Sequence, residues 1–180
     1  TMRRIFIAAD LPAEMREEMS KLKRSIKGVR WYDASKIHLT LRFIGEVENQ
    51  VVEEVKSALY ELKWPKMALR SDGLGLFFYK RNPRVIWIGL QPADELQSLR
   101  EEVDQLLKPT AIEEDSRPFK PHVTLGKCKK FVDKKAVLEM KDELGDWKEA
   151  EGELSRLTLY SSTLSPDGAI HTPLEQYPFH

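Results

Sequence analysis

The chain has 180 residues, which is the size of one domain or of two small lobes that share a core. Hydrophobic residues make up 41% of it and charged residues 32%, and no apolar run approaches the roughly 20 residues of a transmembrane helix, so a disordered or membrane-spanning chain is excluded. Cys128 is the only cysteine, which excludes an internal disulfide and a metal site built from cysteines, and 29 basic residues balance 29 acidic ones.

Strand and helix signals alternate along the chain. Runs rich in β-branched and aromatic residues predict strands over 4–9, 29–33, 37–43, 74–78, 84–90, 121–127 and 154–161. Apolar residues spaced three and four apart predict helices that begin at Pro12, Asn49, Pro92 and Asp133, the first of which reaches Ile26. Asn49 and Asp133 are good N-caps, and a turn at 165–168 precedes the C-terminal tail.

Basic residues concentrate in three segments although the net charge is zero. Residues 3–42 hold ten basic and five acidic side chains, 63–84 hold six and one, and 117–135 hold seven and one. Such strips attract phosphate groups locally, but a set of solvated helix faces gives the same pattern. Charge alone therefore leaves a phosphate-bearing partner and a bland surface equally open.

The two halves of the sequence resemble each other. Residues 4–14 match 84–94 at an offset of 80, and His-Leu-Thr-Leu at 38–41 matches His-Val-Thr-Leu at 122–125 at an offset of 84. The offset of 84 also relates the two helix caps. The pattern predicts an internal duplication.

The repeat and the short half-polar strands together predict the fold class. We expect one bilobal domain over 1–180, whose duplicated parts run roughly from 4 to 70 and from 84 to 161. Short strands with one polar face favour antiparallel sheets covered by helices on one side. The predicted fold is therefore α+β, with two lobes related by a pseudo-twofold axis, helices on the outer face of each sheet, and a central cleft.

The repeated tetrads carry the candidate chemistry. In a strand, residues i and i+2 share a face, so His38 points the same way as Thr40, and His122 the same way as Thr124. If the lobes face each other, two imidazoles and two hydroxyls converge on one cleft, as acid–base hydrolysis of a phosphodiester requires. Histidine suits both roles because its usual pKa leaves both forms available near neutrality. The alternative is that the duplication copied two polar positions without function.

Here the sequence resembles a known family. It is similar to the 2H phosphoesterase superfamily, and within it to the RNA 2′,3′-cyclic phosphodiesterases once described as 2′-5′ RNA ligases, the LigT-like group. The segments that carry the resemblance are 4–8, 38–46, 83–87, 117–125 and 159–168. The resemblance implies that His38 is the proton donor and His122 the proton acceptor. It also implies a basic cleft between two antiparallel lobes, and no metal or other cofactor.

Further residues are candidates for substrate binding or depart from the family pattern. Besides Thr40 and Thr124, the candidates are Lys127, Arg117 and Phe119. Lys127 stands where the family commonly has arginine, and strict alternation places it on the core side unless Gly126 hosts a bulge. Phe119 can stack on a base or pack in the core. His171 replaces a usual tyrosine, and we favour a surface role for it over a place in the cleft.

The sequence thus predicts hydrolysis of RNA 2′,3′-cyclic phosphate ends to 2′-phosphates by two histidines. The alternatives are 2′-5′ RNA ligation as the reverse reaction, an RNA-end or nucleotide binding module without turnover, and a metal hydrolase, for which no ligand motif is present. The expected partners are RNA ends, tRNA fragments among them, or cyclic nucleotides, and no membrane. The apolar run near the start is too short for a signal peptide and the single cysteine suits a reducing compartment, so we expect a cytoplasmic protein; we also expect a monomer.

Overall fold

A computed structural model describes all 180 residues. It contains nine strands and four α-helices in the order β1 (Met2–Ala9), α1 (Ala13–Ser20), β2 (Val29–Trp31), β3 (Leu39–Glu48), α2 (Asn49–Ala58), β4 (Met67–Tyr79), β5 (Asn82–Gln91), α3 (Ala93–Leu107), β6 (His122–Cys128), α4 (Lys134–Leu144), β7 (Glu151–Leu154), β8 (Arg156–Ser165) and β9 (Gly168–Pro178).

All nine strands belong to one antiparallel sheet. Its order is β7-β4-β5-β6-β3-β1-β8-β9, and β2 pairs with β6 beside this path. The two tetrad-bearing strands, β3 and β6, meet through a single residue pair, Leu39 with Val123. We call β3, β1, β8 and β9 the first lobe, and β6, β5, β4, β7 and β2 the second lobe. The predicted α+β fold with two antiparallel lobes is confirmed.

Each lobe takes strands from both halves of the chain. β4 lies in the first half of the sequence but pairs with β5 and β7 in the second lobe. β8 lies in the second half but pairs with β1 in the first lobe. The lobes in space therefore do not coincide with the sequence segments 4–70 and 84–161.

The helices cover one face of the sheet. α2 packs against β1 and β3, α3 against β3 and β5, and α4 against β4 and β5. The apolar members of the tetrads point into this layer, and Leu39, Leu41, Val123 and Leu125 are almost fully buried. Each contributes about 1.5–3 kcal/mol of burial free energy, which fixes the opposite face of both strands toward the cleft. No helix combines the length and the hydropathy that a membrane span needs.

The first helix is shorter than the apolar spacing predicts. It ends at Ser20, where the N–H groups of Leu22 and Lys23 turn back to the carbonyl groups of Met19 and Ser20. Ile26 is buried although it lies beyond the helix. Its spacing therefore reports burial in the core and not helical periodicity.

The structure confirms one of the two predicted helix caps and shows a strand in the C-terminal tail. Asp133 caps α4 as predicted, because its carboxylate accepts the Ala136 N–H at 3.2 Å. Asn49 instead begins α2 without a side-chain capping bond. The tail after the 165–168 turn is a full strand, β9, and Gly168 at φ +116° provides the backbone geometry of that turn.

Candidate active site

The two tetrads meet on the face of the sheet that the helices leave open. The Leu39–Val123 pair brings β3 and β6 together with their apolar residues on the core side. If that register is continued, Thr40 lies opposite His122 and His38 lies opposite Thr124. His38 and His122 are then diagonal neighbours, and residues in such positions of an antiparallel pair are roughly 7–8 Å apart. The imidazoles thus flank a space of about the size of one phosphate group.

The tautomer of His122 follows from one hydrogen bond. Its Nδ1 lies 2.6 Å from the backbone carbonyl oxygen of Lys120. A carbonyl oxygen only accepts, so Nδ1 carries the proton and Nε2 is left with a lone pair. Burial lowers the pKa of His122, with the nearby Lys120 charge acting in the same direction and the carbonyl hydrogen bond opposing it. A neutral imidazole with a free Nε2 is suited to accept a proton.

Two aromatic rings hold His122 in place. Its ring contacts Phe77 edge-to-face at 5.0 Å and Trp87 at 6.0 Å between centroids. The Trp87 indole lies directly against Gly75, where any Cβ would collide with it. Lys120 Nζ stands 4.9 Å from the Trp87 ring centroid, and the Trp87 indole N–H is buried without a partner. This wall is rigid and carries a positive charge at its edge.

His38 lies in a different aromatic environment. Its ring stacks near Phe6 at 5.3 Å and Tyr160 at 5.8 Å, with interplanar angles of 19° and 22°. The ring of His171 meets it edge-on at 5.5 Å. The predicted surface role of His171 is therefore wrong, because the pairing of β9 with β8 carries this residue to the site.

These surroundings keep His38 neutral in the free protein. The pKa of His38 is lowered to about 4, chiefly by burial and also by the charges of His171 and Arg16, while Asp10 partly offsets these effects. An anion placed beside a histidine favours its charged form. A phosphate bound between the tetrads would therefore raise the pKa of His38 and favour its protonated form.

A carboxylate organises the wall behind His38. Asp10 accepts hydrogen bonds from Tyr160 Oη at 2.8 Å, from Arg156 Nε at 2.9 Å and from the Thr158 hydroxyl. The three donors alternate along β8, so they share one face of the strand. The network fixes the Tyr160 ring against which His38 is stacked.

The threonines and Lys127 also face the open side. Thr40 is exposed and Thr124 half-buried. The β5–β6 register shifts between Ile86 and Trp87, so that Trp87 pairs with Thr124 but Val85 pairs with Lys127. This bulge brings Lys127 to the face of Thr124, and the side chain is exposed there. The placement on the core side that strict alternation gives is not observed.

Arg117 and Phe119 are engaged elsewhere. Arg117 Nε and Nη2 each donate to the Asp115 carboxylate at 2.9 Å. Phe119 packs against the hydrophobic core, where the Arg100 guanidinium lies 5.4 Å from its ring centroid. Arg100 in turn donates to the Leu41 carbonyl on the core side of β3. The structure thus shows no contact that brings either residue to the tetrads.

The sequence pattern did not identify the rings around the two histidines. These residues are Phe6, Phe77, Trp87, Tyr160 and His171. Trp87 lies on β5 next to β6, Phe77 lies on β4 one strand further away, and Phe6 lies on β1 next to β3, so strand pairing was the signal that could have found them. No three His, Cys, Asp or Glu side chains are arranged so that they could hold a metal ion.

Comparisons with known proteins identify the family of this chain. The family model described as the 2′-5′ RNA ligase superfamily matches residues 11–165. A Thermotoga maritima protein named RNA 2′,3′-cyclic phosphodiesterase is 34% identical over 98% of this chain and 95% of its own length. A Methanocaldococcus jannaschii protein of the same name is 30% identical over 97% and 99% of the two chains.

A solved structure gives the same result at the level of the fold. Escherichia coli LigT in complex with 3′-AMP superposes with a TM-score of 0.77 at 26% identity, covering 99% of both chains. The chain therefore belongs to the 2′-5′ RNA ligase superfamily and, within it, to the family of RNA 2′,3′-cyclic phosphodiesterases.

Proposed function

We propose that this protein hydrolyses 2′,3′-cyclic phosphate ends of RNA by acid–base catalysis with His38 and His122. The observation that carries the proposal is the meeting of the two tetrads at the β3–β6 pair, with Nε2 of His122 free to accept a proton. The names of the Thermotoga and Methanocaldococcus relatives support the same substrate class. No cofactor is required for this chemistry.

The reaction proceeds in one displacement at phosphorus. Water attacks phosphorus while Nε2 of His122 takes its proton, and the bond from phosphorus to the ribose O3′ breaks. His38, protonated in the complex, gives its proton to O3′, so the proton count is conserved and the phosphate remains on O2′. The roles of donor and acceptor follow the resemblance, and the fixed tautomer of His122 supports them.

The remaining side chains hold the phosphate. The hydroxyl groups of Thr40 and Thr124 donate to non-bridging oxygens, on which negative charge accumulates in the transition state. The exposed ammonium of Lys127 adds a point charge to the same face, in place of the two-pronged contact that arginine makes.

The product isomer tests the proposal. One fixed acid and one fixed base allow only one ribose oxygen to lie in line with the attacking water. Hydrolysis of a 2′,3′-cyclic mononucleotide should therefore give only the 2′-phosphate, which ³¹P NMR reads directly. A 3′-phosphate would mean that the ribose binds in the other direction, and a mixture would mean that the cleft does not fix it.

Ligation is the second candidate function. The family description names 2′-5′ RNA ligases, and in ligation the 5′-hydroxyl of a second RNA takes the place of water: His122 accepts its proton, the bond from phosphorus to O3′ breaks, and His38 gives a proton to O3′, which leaves a 2′-5′ link. Incubation of an RNA that ends in a cyclic phosphate with a 5′-hydroxyl RNA distinguishes the two activities, because ligation gives a 2′-5′-linked product and hydrolysis gives a 2′-phosphate end. Tight nucleotide binding without any product would favour the binding-module alternative instead.

The finer features of the protein's setting are part of this proposal. We infer that the substrates are RNA ends, including tRNA fragments, or cyclic nucleotides, and that the protein acts as a cytoplasmic monomer. A nucleotide-bound relative of the same fold supports a nucleotide ligand.

A further inference from the structure

The turn between β4 and β5 presents aromatic rings to solvent among cations. Phe78 is 48% exposed and Tyr79 is 59% exposed. Lys80 Nζ and Arg84 Cζ lie 5.5 and 5.7 Å from the centroid of the Tyr79 ring. Large rings left in water contribute little to folding, so their clustering at one turn indicates a contact surface.

No acidic side chain offsets the cations of this turn. The chain contains no Asp or Glu between Asp72 and Asp94. Asp72 itself lies at the far end of the hairpin, where it accepts a hydrogen bond from Gln91 and forms an ion pair with Lys148. None of the cations at the turn takes part in an ion pair. The positive charge is thus available to an external anion.

The end of β6 adds a second group of the same kind. Phe131 is 60% exposed, and Lys129 Nζ lies 5.9 Å from its ring centroid. Val85 pairs with Lys127, so this end of β6 lies beside the beginning of β5. We call the combined patch the tip surface, and it comprises Tyr79, Lys80, Arg81, Arg84, Lys129 and Phe131.

The tip surface lies along the sheet from the candidate site. Trp87 pairs with Thr124, and Asn82 at the turn is five residues further along β5, which is roughly 16 Å at strand spacing. Lys127 lies between the two places. A stacked strand that rises about 3.4 Å per nucleotide covers this distance with roughly five nucleotides. A mononucleotide in the site therefore does not reach the tip surface, whereas a short RNA does.

We propose that the tip surface binds the single-stranded RNA segment that precedes the cyclic phosphate end. Exposed rings stack bases without regard to sequence, and neighbouring cations hold the backbone phosphates. The proposal rests on the proposed function, because the RNA segment at the tip surface belongs to the same substrate whose cyclic phosphate end lies between His38 and His122. It adds a preference for oligonucleotides over mononucleotides that the two histidines alone do not supply.

The test compares two substrates that share the same terminal nucleotide. One is a 2′,3′-cyclic mononucleotide, and the other is a single-stranded hexanucleotide that ends in the same cyclic phosphate. For the variants Tyr79→Ala and Lys80→Ala/Arg81→Ala, kcat/KM on the hexanucleotide should fall about tenfold, whereas kcat/KM on the mononucleotide should stay within about twofold. Tyr79→Phe should keep the wild-type value, because stacking needs the ring and not the hydroxyl.

A matched control and a salt series sharpen the result. Lys63→Ala/Lys66→Ala removes two exposed lysines near the opposite end of β4. It should leave kcat/KM on both substrates unchanged. The slope of log KM against log salt for the hexanucleotide should shrink by about 1.4 in Lys80→Ala/Arg81→Ala, for two lost phosphate contacts.

The outcomes separate this proposal from the proposed function. If the tip variants leave kcat/KM on the hexanucleotide unchanged, or lower kcat/KM on both substrates equally, the tip surface does not bind RNA and the proposal is overturned. Hydrolysis of the mononucleotide by the wild type would still stand in that case. If the wild type hydrolyses neither substrate, the proposed function itself fails, and this inference fails with it.

Discussion

The two histidines of the candidate site are held in different ways. His122 is oriented by a backbone hydrogen bond through Nδ1 and by edge-on contacts with Phe77 and Trp87. His38 is held by ring contacts with Phe6, Tyr160 and His171. Burial lowers the pKa of both, and that of His38 falls to about 4.

The difference matches the needs of a base and an acid. A base must present a lone pair in one fixed direction before substrate arrives, and a carbonyl on Nδ1 gives Nε2 that direction. An acid must carry a proton only when the anion is bound. A buried imidazole whose pKa stays low in the free protein, even with Asp10 nearby, meets that condition, because the charge of a bound phosphate would promote its protonation.

Removal of either histidine is expected to give the largest effect. His38→Ala and His122→Ala should each lower kcat for a 2′,3′-cyclic mononucleotide by about 10²-fold or more, because each proton transfer loses its catalyst. His180→Ala, at the exposed C-terminus, is the matched control and should behave like the wild type. A near-normal rate in either site variant, with thermal unfolding unchanged, would refute the two-histidine mechanism.

Loss of the point charge beside the second tetrad should act on binding. Lys127→Ala is expected to raise KM for the mononucleotide roughly tenfold, the order of one charged hydrogen bond, with a smaller change in kcat. Lys127→Arg should restore KM. Lys135→Ala, an exposed lysine of α4, serves as the control. An unchanged KM in Lys127→Ala would place the phosphate away from this residue.

The smallest expected effect concerns pH. His38 must be protonated to act, so activity falls as pH rises through its pKa. The His171 charge lowers that pKa, in the same direction as Arg16 and against Asp10. His171→Tyr should therefore move the descending limb of the kcat/KM profile to higher pH. A shift to lower pH would show that His38 is not the group that titrates there.

The shared face of histidine and threonine in each tetrad could be predicted because it depends on alternation within a strand. His38 and Thr40, like His122 and Thr124, share a face because their apolar neighbours are buried in the core. The α+β fold followed for the same reason, since strands with one polar face need helices on the other.

The rest of the site depends on pairings that alternation does not encode. A bulge beside Gly126, opposite Ile86, changes the face of Lys127, and alternation alone does not determine whether that glycine forms one. His171 reaches the site only because β9 pairs with β8, and β8 with β1. Arg117 forms an ion pair with Asp115, two residues away, and a count of basic residues does not take this acidic partner into account. The internal duplication stays a prediction, and each lobe of the sheet takes strands from both halves of the chain.

The most direct test of the separate roles of His38 and His122 is a change of leaving group. In a 2′,3′-cyclic substrate with sulfur in place of O3′, the sulfur leaves phosphorus as a thiolate. This leaving group needs no proton from an acid. We expect His38→Ala to lower kcat about 10²-fold on the oxygen substrate but less than about tenfold on the sulfur substrate, and His122→Ala to lower kcat about 10²-fold on both. Rescue of His122→Ala by sulfur, with His38→Ala left inactive, would contradict the assignment of acid and base.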